Sequence, residues 1–340
     1  MLTQAPPPCH SERSEESLVG SPWILRCAQN DRRRRFCSAL EASEDIVSII
    51  YQLARAGYGL AKWTPRRARH GLGKAVGSAI YLGWRSKRSN TRQNMAHVSG
   101  HPVGDPRTKH LASASWRNYG RIIADFIYFP HFDFNQLEHR IHDLTEGASG
   151  WQGYIEQGLA SGKGVIAASA HFGNYDMAAA YFARHFPFWI VTENFPDPQM
   201  TDLVLGQRKE RGIGLIPMEG SARRILRTLQ QNELVAIAVD RPVPREEGVE
   251  ICFFGQKTYV PGGPAALALK SGAAIVPGFM WYGPREEIFV RAFPPIFPQS
   301  GANKTAEIGR LTQCMFDAIE EIVREWPTQW YMFRQFWLAE

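Results

Sequence analysis

Two side chains in one short stretch have the types and spacing for proton-transfer chemistry: His171 and Asp176, in His171-Phe172-Gly173-Asn174-Tyr175-Asp176. A neutral imidazole takes a proton from a hydroxyl near pH 7. A carboxylate beside it fixes the ring tautomer and stabilises the imidazolium that forms. Four intervening residues let a turn carry the carboxylate back to the ring. Gly173 lets the backbone turn tightly and leaves room for a substrate. The pair therefore fits activation of a hydroxyl for acyl transfer, with His171 as base and Asp176 as its partner. Alone, H-x-x-x-x-D is a short pattern that chance produces readily, and a capped helix start with a satisfied histidine reads the same. No G-x-S-x-G elbow supplies a serine nucleophile, so the scheme has no acyl-enzyme.

The elements that must hold this pair follow from the apolar pattern. Gly164 to Ala170 reads as a buried strand ending just before His171, and Tyr175 to Arg184 as a helix. Further strands are expected at Phe188–Thr192, Gly214–Pro217, Leu234–Val239, Val249–Phe254, Ala274–Phe279 and Ile288–Ala292. Helices are expected at 197–211, 220–231, 263–271 and 303–325, the last followed by an aromatic tail from Trp326 to Trp337. Strands alternating with helices imply an α/β fold with a mostly parallel central sheet flanked by helices. His171 would then stand at the carboxyl end of a strand, where such sheets bind ligands.

Ahead of this layer the charge is unevenly placed. The chain of 340 residues has a net charge of +6, yet from Ile46 to Gly104 it has no Asp or Glu and ten cations, Arg55, Lys62, Arg66, Arg67, Arg69, Lys74, Arg85, Lys87, Arg88 and Arg92. Apolar groups lie between them: Ile46, Ile49, Ile50, Leu53, Tyr58, Leu60, Trp63, Val76, Ile80, Tyr81 and Trp84. Such a stretch suits basic amphipathic helices at an anionic membrane surface. The runs 46–63 and 71–84 are broken by cations and fall short of the ~20 apolar residues of a spanning helix. A second helical pattern follows at 105–130. The division expected is thus 46–104 as a membrane-associating helical region and 105–340 as the α/β domain. Residues 1–45 resemble translated dispersed repeats and read as a disordered or non-native extension without a secretory signal. The five cysteines (Cys9, Cys27, Cys37, Cys252, Cys314) show no C-x-x-C, which argues against a zinc site and fits a reducing cytoplasm.

Larger blocks give the motif a context. One runs Asp240-Arg241-Pro242, then Gly248-Val249-Glu250-Ile251-Cys252-Phe253-Phe254-Gly255, then Pro261 to Ala273 and Ile275-Val276-Pro277. Others are the His171–Asp176 stretch, Thr192-Glu193-Asn194-Phe195 with Arg208 after it, and Pro327-Thr328-Gln329-Trp330-Tyr331. Together they resemble the bacterial lipid A biosynthesis acyltransferase family over roughly 46–337. The Thr-Glu-Asn-Phe text is closer to its phosphatidylinositol mannoside acyltransferase branch than to the lipid A branch. The resemblance implies a glycerolipid-acyltransferase-like fold, His171 as general base and Asp176 as its partner. It also implies a substrate site lined by Glu193, Arg208 and Glu250, with Asn174 and Arg241 beside them. Asp240 and Arg241 would be an ion pair that holds the site or forms part of it. No metal and no cofactor are implied; the co-substrate is an acyl-CoA or acyl carrier protein thioester. The acceptor is a glycolipid hydroxyl, and the place of work is the cytoplasmic face of the inner membrane, as a peripheral protein.

Two rival readings share these residues. A lipid or thioester hydrolase would use the same pair with water as acceptor. A nucleic-acid-binding protein would explain the basic block but leaves the α/β region idle and shows no module spacing, so no nucleic-acid partner is expected.

Overall fold

Every expected strand forms, though one joins a different sheet. The computed structural model describes residues 52, 55, 57–147, 149–193, 197–285 and 287–337. The segment 1–45 lies outside them, as do Ile46, Ile49, Ile50 and Leu53 of the basic region. In chain order the first elements are α1 (Arg66–Gly83), α2 (Arg85–Ser99), α3 (Pro106–Tyr128), α4 (Phe134–Glu138), β1 (Ile141–Asp143) and α5 (Gly150–Leu159). Then come β2 (Val165–Ser169), α6 (Tyr175–Ala183), β3 (Phe188–Thr192), α7 (Pro198–Glu210), β4 (Gly214–Pro217), α8 (Ser221–Gln230) and β5 (Leu234–Ala238). The last are β6 (Val249–Phe253), β7 (Gln256–Val260), α9 (Gly263–Ser271), β8 (Ala274–Tyr282), β9 (Ile288–Ala292) and α10 (Lys304–Glu325).

Seven strands form one sheet in the order β1-β9-β8-β2-β5-β3-β4. All neighbours are parallel except β8 and β9. The central strands are apolar on both faces, as a doubly covered parallel sheet requires. Ile166, Val235, Ile275, Phe279 and Trp281 enter one core with α8, α9, α10 and the C-terminal tail. Val165, Leu234, Val276, Met280 and Tyr282 enter another with α5 and α6. The alternation along each strand is the period-two rule applied to two buried faces.

The apolar pattern predicts Val249–Phe254 as a strand of the main layer, but the segment leaves that layer. β6 pairs antiparallel with β7 as a separate two-stranded sheet. Phe254 and Gly255, both at positive φ (51° and 72°), make the tight turn between them. β1, α5 and β7 carry no strong periodic signal, and the pattern does not predict them.

The helices α1 and α3 cross at close range. A Cβ on Gly120 would lie 2.0 Å from the carbonyl oxygen of Gly73, and one on Gly77 would lie 2.1 Å from that of Trp116. Glycine is required because backbone meets backbone, which cannot yield as a flexible side chain would. Gly120→Ala is therefore expected to lower stability by about 1–3 kcal/mol, the usual cost of overpacking. A fall in the thermal unfolding midpoint checks this. An unchanged midpoint would show that the two helices separate without penalty.

α3 also reaches the carboxyl ends of the central strands. Ser115 Oγ donates to the Trp330 carbonyl at 2.8 Å, and Asn118 Nδ2 to that of Thr328 at 3.0 Å. The helix starts cleanly, with Pro106 at its first position and the Asp105 carboxylate accepting from the Arg107 N–H.

Candidate active site

The strand β2 ends at Ser169 and the chain leaves the sheet through His171. Three backbone hydrogen bonds fix this loop. Gly173 N–H donates to the Gln329 carbonyl at 2.9 Å, Asn174 N–H to that of Met280 at 2.8 Å, and Tyr331 N–H to that of His171 at 2.8 Å. Gly173 has φ of 58°, and a Cβ there would lie 2.1 Å from the Met280 carbonyl oxygen. A side chain at 173 would push the loop off β8 and move the histidine.

The imidazole meets a carboxylate, but not that of Asp176. His171 Nδ1 is 2.7 Å from Asp240 Oδ1, and His171 N–H donates to Asp240 Oδ2 at 2.9 Å. The Trp330 indole N–H donates to the same Oδ2 at 3.0 Å. Sheet register explains the partner. β2 and β5 are adjacent and parallel with Ser169 opposite Ala238, and Val239 N–H continues the ladder to the Ser169 carbonyl. Two residues on, 171 faces 240. Asp240 is fully buried, while the His171 side chain keeps 32% of its exposure. Nε2 has no hydrogen-bond partner among the described residues, so the ring presents its second nitrogen outward.

Asp176 is displaced by helix geometry. Asn174 caps α6 by accepting from Met177 N–H at 3.2 Å, so Asp176 falls in the first helical turn. Its carboxylate accepts from Arg208 Nε at 2.8 Å, an ion pair that joins α6 to α7. The guanidinium of Arg208 also lies 5.7 Å from the Phe126 ring centre. Asn174, expected at the substrate site, is 4% exposed and spent on the cap and on Asp125, to which its amide donates at 3.4 Å.

The expected Asp240–Arg241 ion pair is likewise split. Asp240 turns in to the histidine, and Arg241 pairs with Glu193. Glu250 does not join the His171 group. It lies on the exposed side of the β6–β7 hairpin, 2.7 Å from Lys257 Nζ and 2.9 Å from the Tyr259 hydroxyl. Alternation along a hairpin strand, not a cavity, accounts for a charge between apolar neighbours.

Electrostatics follow these contacts. Burial alone would raise the Asp240 carboxyl, but the facing His171 ring, the His171 N–H and the Trp330 N–H hold it below the usual carboxylate range. Burial would lower Arg208, yet Asp176 keeps it above its ordinary value. Tyr58, Tyr119 and Tyr175 are pushed up by burial, with the Asp176 charge adding to the effect. They stay protonated at neutral pH, and each feels the Asp176 charge. The Tyr175 ring centre is 6.2 Å from that of His171.

Most backbone donors of the histidine loop are already used and so cannot hold an oxyanion. His171, Phe172, Gly173 and Asn174 N–H groups donate to Asp240, Ala170, Gln329 and Met280 respectively. Among the described residues, Tyr175 and Asp176 keep theirs without an acceptor, at the positive end of α6.

The tyrosines and Trp330 had no signal in spacing, because four separate segments bring them together. Asp240 did have one, since it follows the buried apolar run Leu234–Val239 at the carboxyl end of a strand. The arrangement is a tautomer-fixed, accessible imidazole beside a partly buried ion pair and free helix N–H groups. It can take a proton from a hydroxyl and stabilise charge on a nearby oxygen.

A family model described as bacterial lipid A biosynthesis acyltransferase matches residues 44–339. The phosphatidylinositol mannoside acyltransferase of Mycobacterium tuberculosis is 30% identical over 257 residues, which cover 73% of this chain and 77% of that protein. The phosphatidylinositol mannoside acyltransferase of Mycolicibacterium smegmatis is 27% identical over 290 residues, 84% of this chain and 90% of that protein.

Proposed function

The chain belongs to the bacterial lipid A biosynthesis acyltransferase family, and from that premise we propose that it moves a fatty acyl group from a thioester to a hydroxyl of a membrane glycolipid. The observation that carries this reading is the His171–Asp240 pair at a strand end, with Nε2 facing out. His171 Nε2 takes the proton of the acceptor hydroxyl, and Asp240 stabilises the imidazolium. The oxygen attacks the thioester carbonyl. The developing oxyanion is met by the free N–H groups of Tyr175 and Asp176 and by Arg208. The C–S bond then breaks, and the thiolate leaves with the proton that His171 returns. The donor is acyl-CoA or acyl carrier protein, and no cofactor takes part. The relatives' names favour an acceptor of the phosphatidylinositol mannoside kind. Mass spectrometry of membrane glycolipids with and without the gene tests this. An acyl-sized mass difference on a glycolipid is expected, whereas free fatty acid released from the thioester alone would make the protein a hydrolase.

The protein works at the cytoplasmic face of the inner membrane, bound peripherally. No helix among the described residues is long and apolar enough to cross a membrane. Instead α1 and its flanking residues expose Leu60, Trp63, Leu72, Val76, Ile80, Leu82 and Trp84. Leu72, Val76 and Ile80 recur every four residues and form one stripe, with exposed Lys62, Arg67 and Arg85 around it. Apolar burial and cation attraction act together on such a face. Leu72→Glu with Val76→Glu is expected to reduce cosedimentation with phosphatidylglycerol vesicles at least several-fold. Wild-type binding should fall with salt and be weaker on phosphatidylcholine. Equal binding of the double variant would place the contact elsewhere.

A further inference from the structure

α3 carries a buried cation one turn from the buried carboxylate Asp125. Arg121, on α3, is 4% exposed. Its guanidinium stands 4.3 Å from the Tyr282 ring centre, and its Nε is sealed from solvent with no hydrogen-bond partner. Among the described residues it forms no ion pair. Asp125, one turn further along α3, is fully occupied. It accepts from the Tyr282 hydroxyl at 2.7 Å and from Asn174 Nδ2 at 3.4 Å, and pairs with His70 Nε2 at 2.7 Å.

Two more guanidinium groups stand close by. Arg69, on α1, is 8% exposed, lies 3.5 Å from the Tyr128 ring centre and gives one N–H to the Thr64 carbonyl, while its Nε is also sealed and unpartnered. Arg66 lies over the same Tyr282 ring as Arg121, at 5.2 Å. Arg121 and Arg69 thus share the interior with one occupied carboxylate, Asp125, and neither forms an ion pair among the described residues. Faces of aromatic rings offset part of the cost, but an uncompensated charge in the interior is strongly unfavourable until an anion joins it.

The cluster adjoins the catalytic loop. Arg121 acts on the Tyr331 phenol, opposing the upward push of burial. Tyr331 in turn donates its N–H to the His171 carbonyl. We propose that Arg121, with Arg69, forms a phosphate subsite beside the acyl-transfer centre, which takes a phosphate ester carried by one of the two substrates. Guanidinium forks suit the several oxygens of a phosphate. Two sources supply one: the phosphates of coenzyme A, and the phosphodiester of a phosphoinositol headgroup. The subsite rests on the proposed acyl transfer only for the choice of these ligands.

Calorimetric binding without turnover separates the sources. Wild type and Arg121→Met are titrated with coenzyme A against pantetheine, and with glycerophosphoinositol against inositol. The phosphate-bearing member of one pair is expected to bind about 10- to 100-fold more weakly to the variant, the scale of a charged hydrogen-bonded contact. Its phosphate-free counterpart should be unaffected, and the pair that responds names the source. Absence of any phosphate-dependent difference between the two proteins would overturn the subsite. If Arg121→Met does not fold, Arg69→Met replaces it. In wild type, inorganic phosphate at constant ionic strength should displace the phosphate-bearing probe where chloride does not. Failure to displace it would also overturn the subsite. Acyl transfer itself is read separately by product mass, so loss of the subsite leaves that assignment standing.

Discussion

His171→Ala is expected to lower kcat by roughly 10²–10⁴-fold, the range that general acid–base catalysis contributes, while leaving the fold and donor binding in place. The side chain is about one-third exposed, and the loop is held by backbone bonds from Gly173, Asn174 and Tyr331 that do not use the ring. Removing the imidazole therefore removes a base without opening a core. The measurement is transfer of a labelled acyl group from thioester to glycolipid, with circular dichroism as the control for folding. A variant with wild-type turnover would take His171 out of the chemistry.

The sheet was legible in the sequence because its strands are buried on both faces and read as unbroken apolar runs between turn signals. Leu234–Ala238 needed nothing more than this, and Ile288–Ala292 is read from its apolar residues despite Arg291. β1, three residues long and paired only with β9, has too little apolar surface to show. The hairpin was half legible: Val249–Phe253 alternates, but its partner Gln256–Val260 begins with polar groups that face solvent. For the site, spacing paired His171 with Asp176, whereas the ring meets Asp240 and Asp176 meets Arg208. Five residues along a loop and helix suggest a short route from Asp176 to the ring. The shorter route runs across the sheet, since 171 and 240 are neighbours by register. Sequence distance hid this, and the cap at Asn174 settled the fate of Asp176. Arg208 was found by resemblance, and its partner, Asp176, lies 32 residues away in the chain.

Asp240→Asn supplies the sharpest division between the two carboxylates. Asp240 Oδ2 accepts two N–H groups, from His171 and Trp330. An asparagine keeps both buried donors satisfied only by placing its amide oxygen there. Its NH₂ then points at Nδ1, which must become the acceptor. The ring proton moves to Nε2, where the base lone pair is needed. The expected loss in kcat is about 10³–10⁴-fold, as for a wrong tautomer in a hydrolase triad, with little change in fold. Asp176→Asn, by contrast, still offers an oxygen to Arg208 Nε and should cost no more than about tenfold, mainly by loosening a charged hydrogen bond. The reverse ranking of the two variants would return Asp176 to the role of ring partner. Acid stability gives an independent reading. The folded carboxyl of Asp240 titrates below its ordinary range. Its contribution to stability is therefore full above that range and is lost as pH falls through the folded value. The Asp240→Asn variant lacks that titration, so its unfolding midpoint should drop less than that of wild type between neutral and acid pH. An identical acid slope would mean that the Asp240–His171 contact contributes nothing to the folded state.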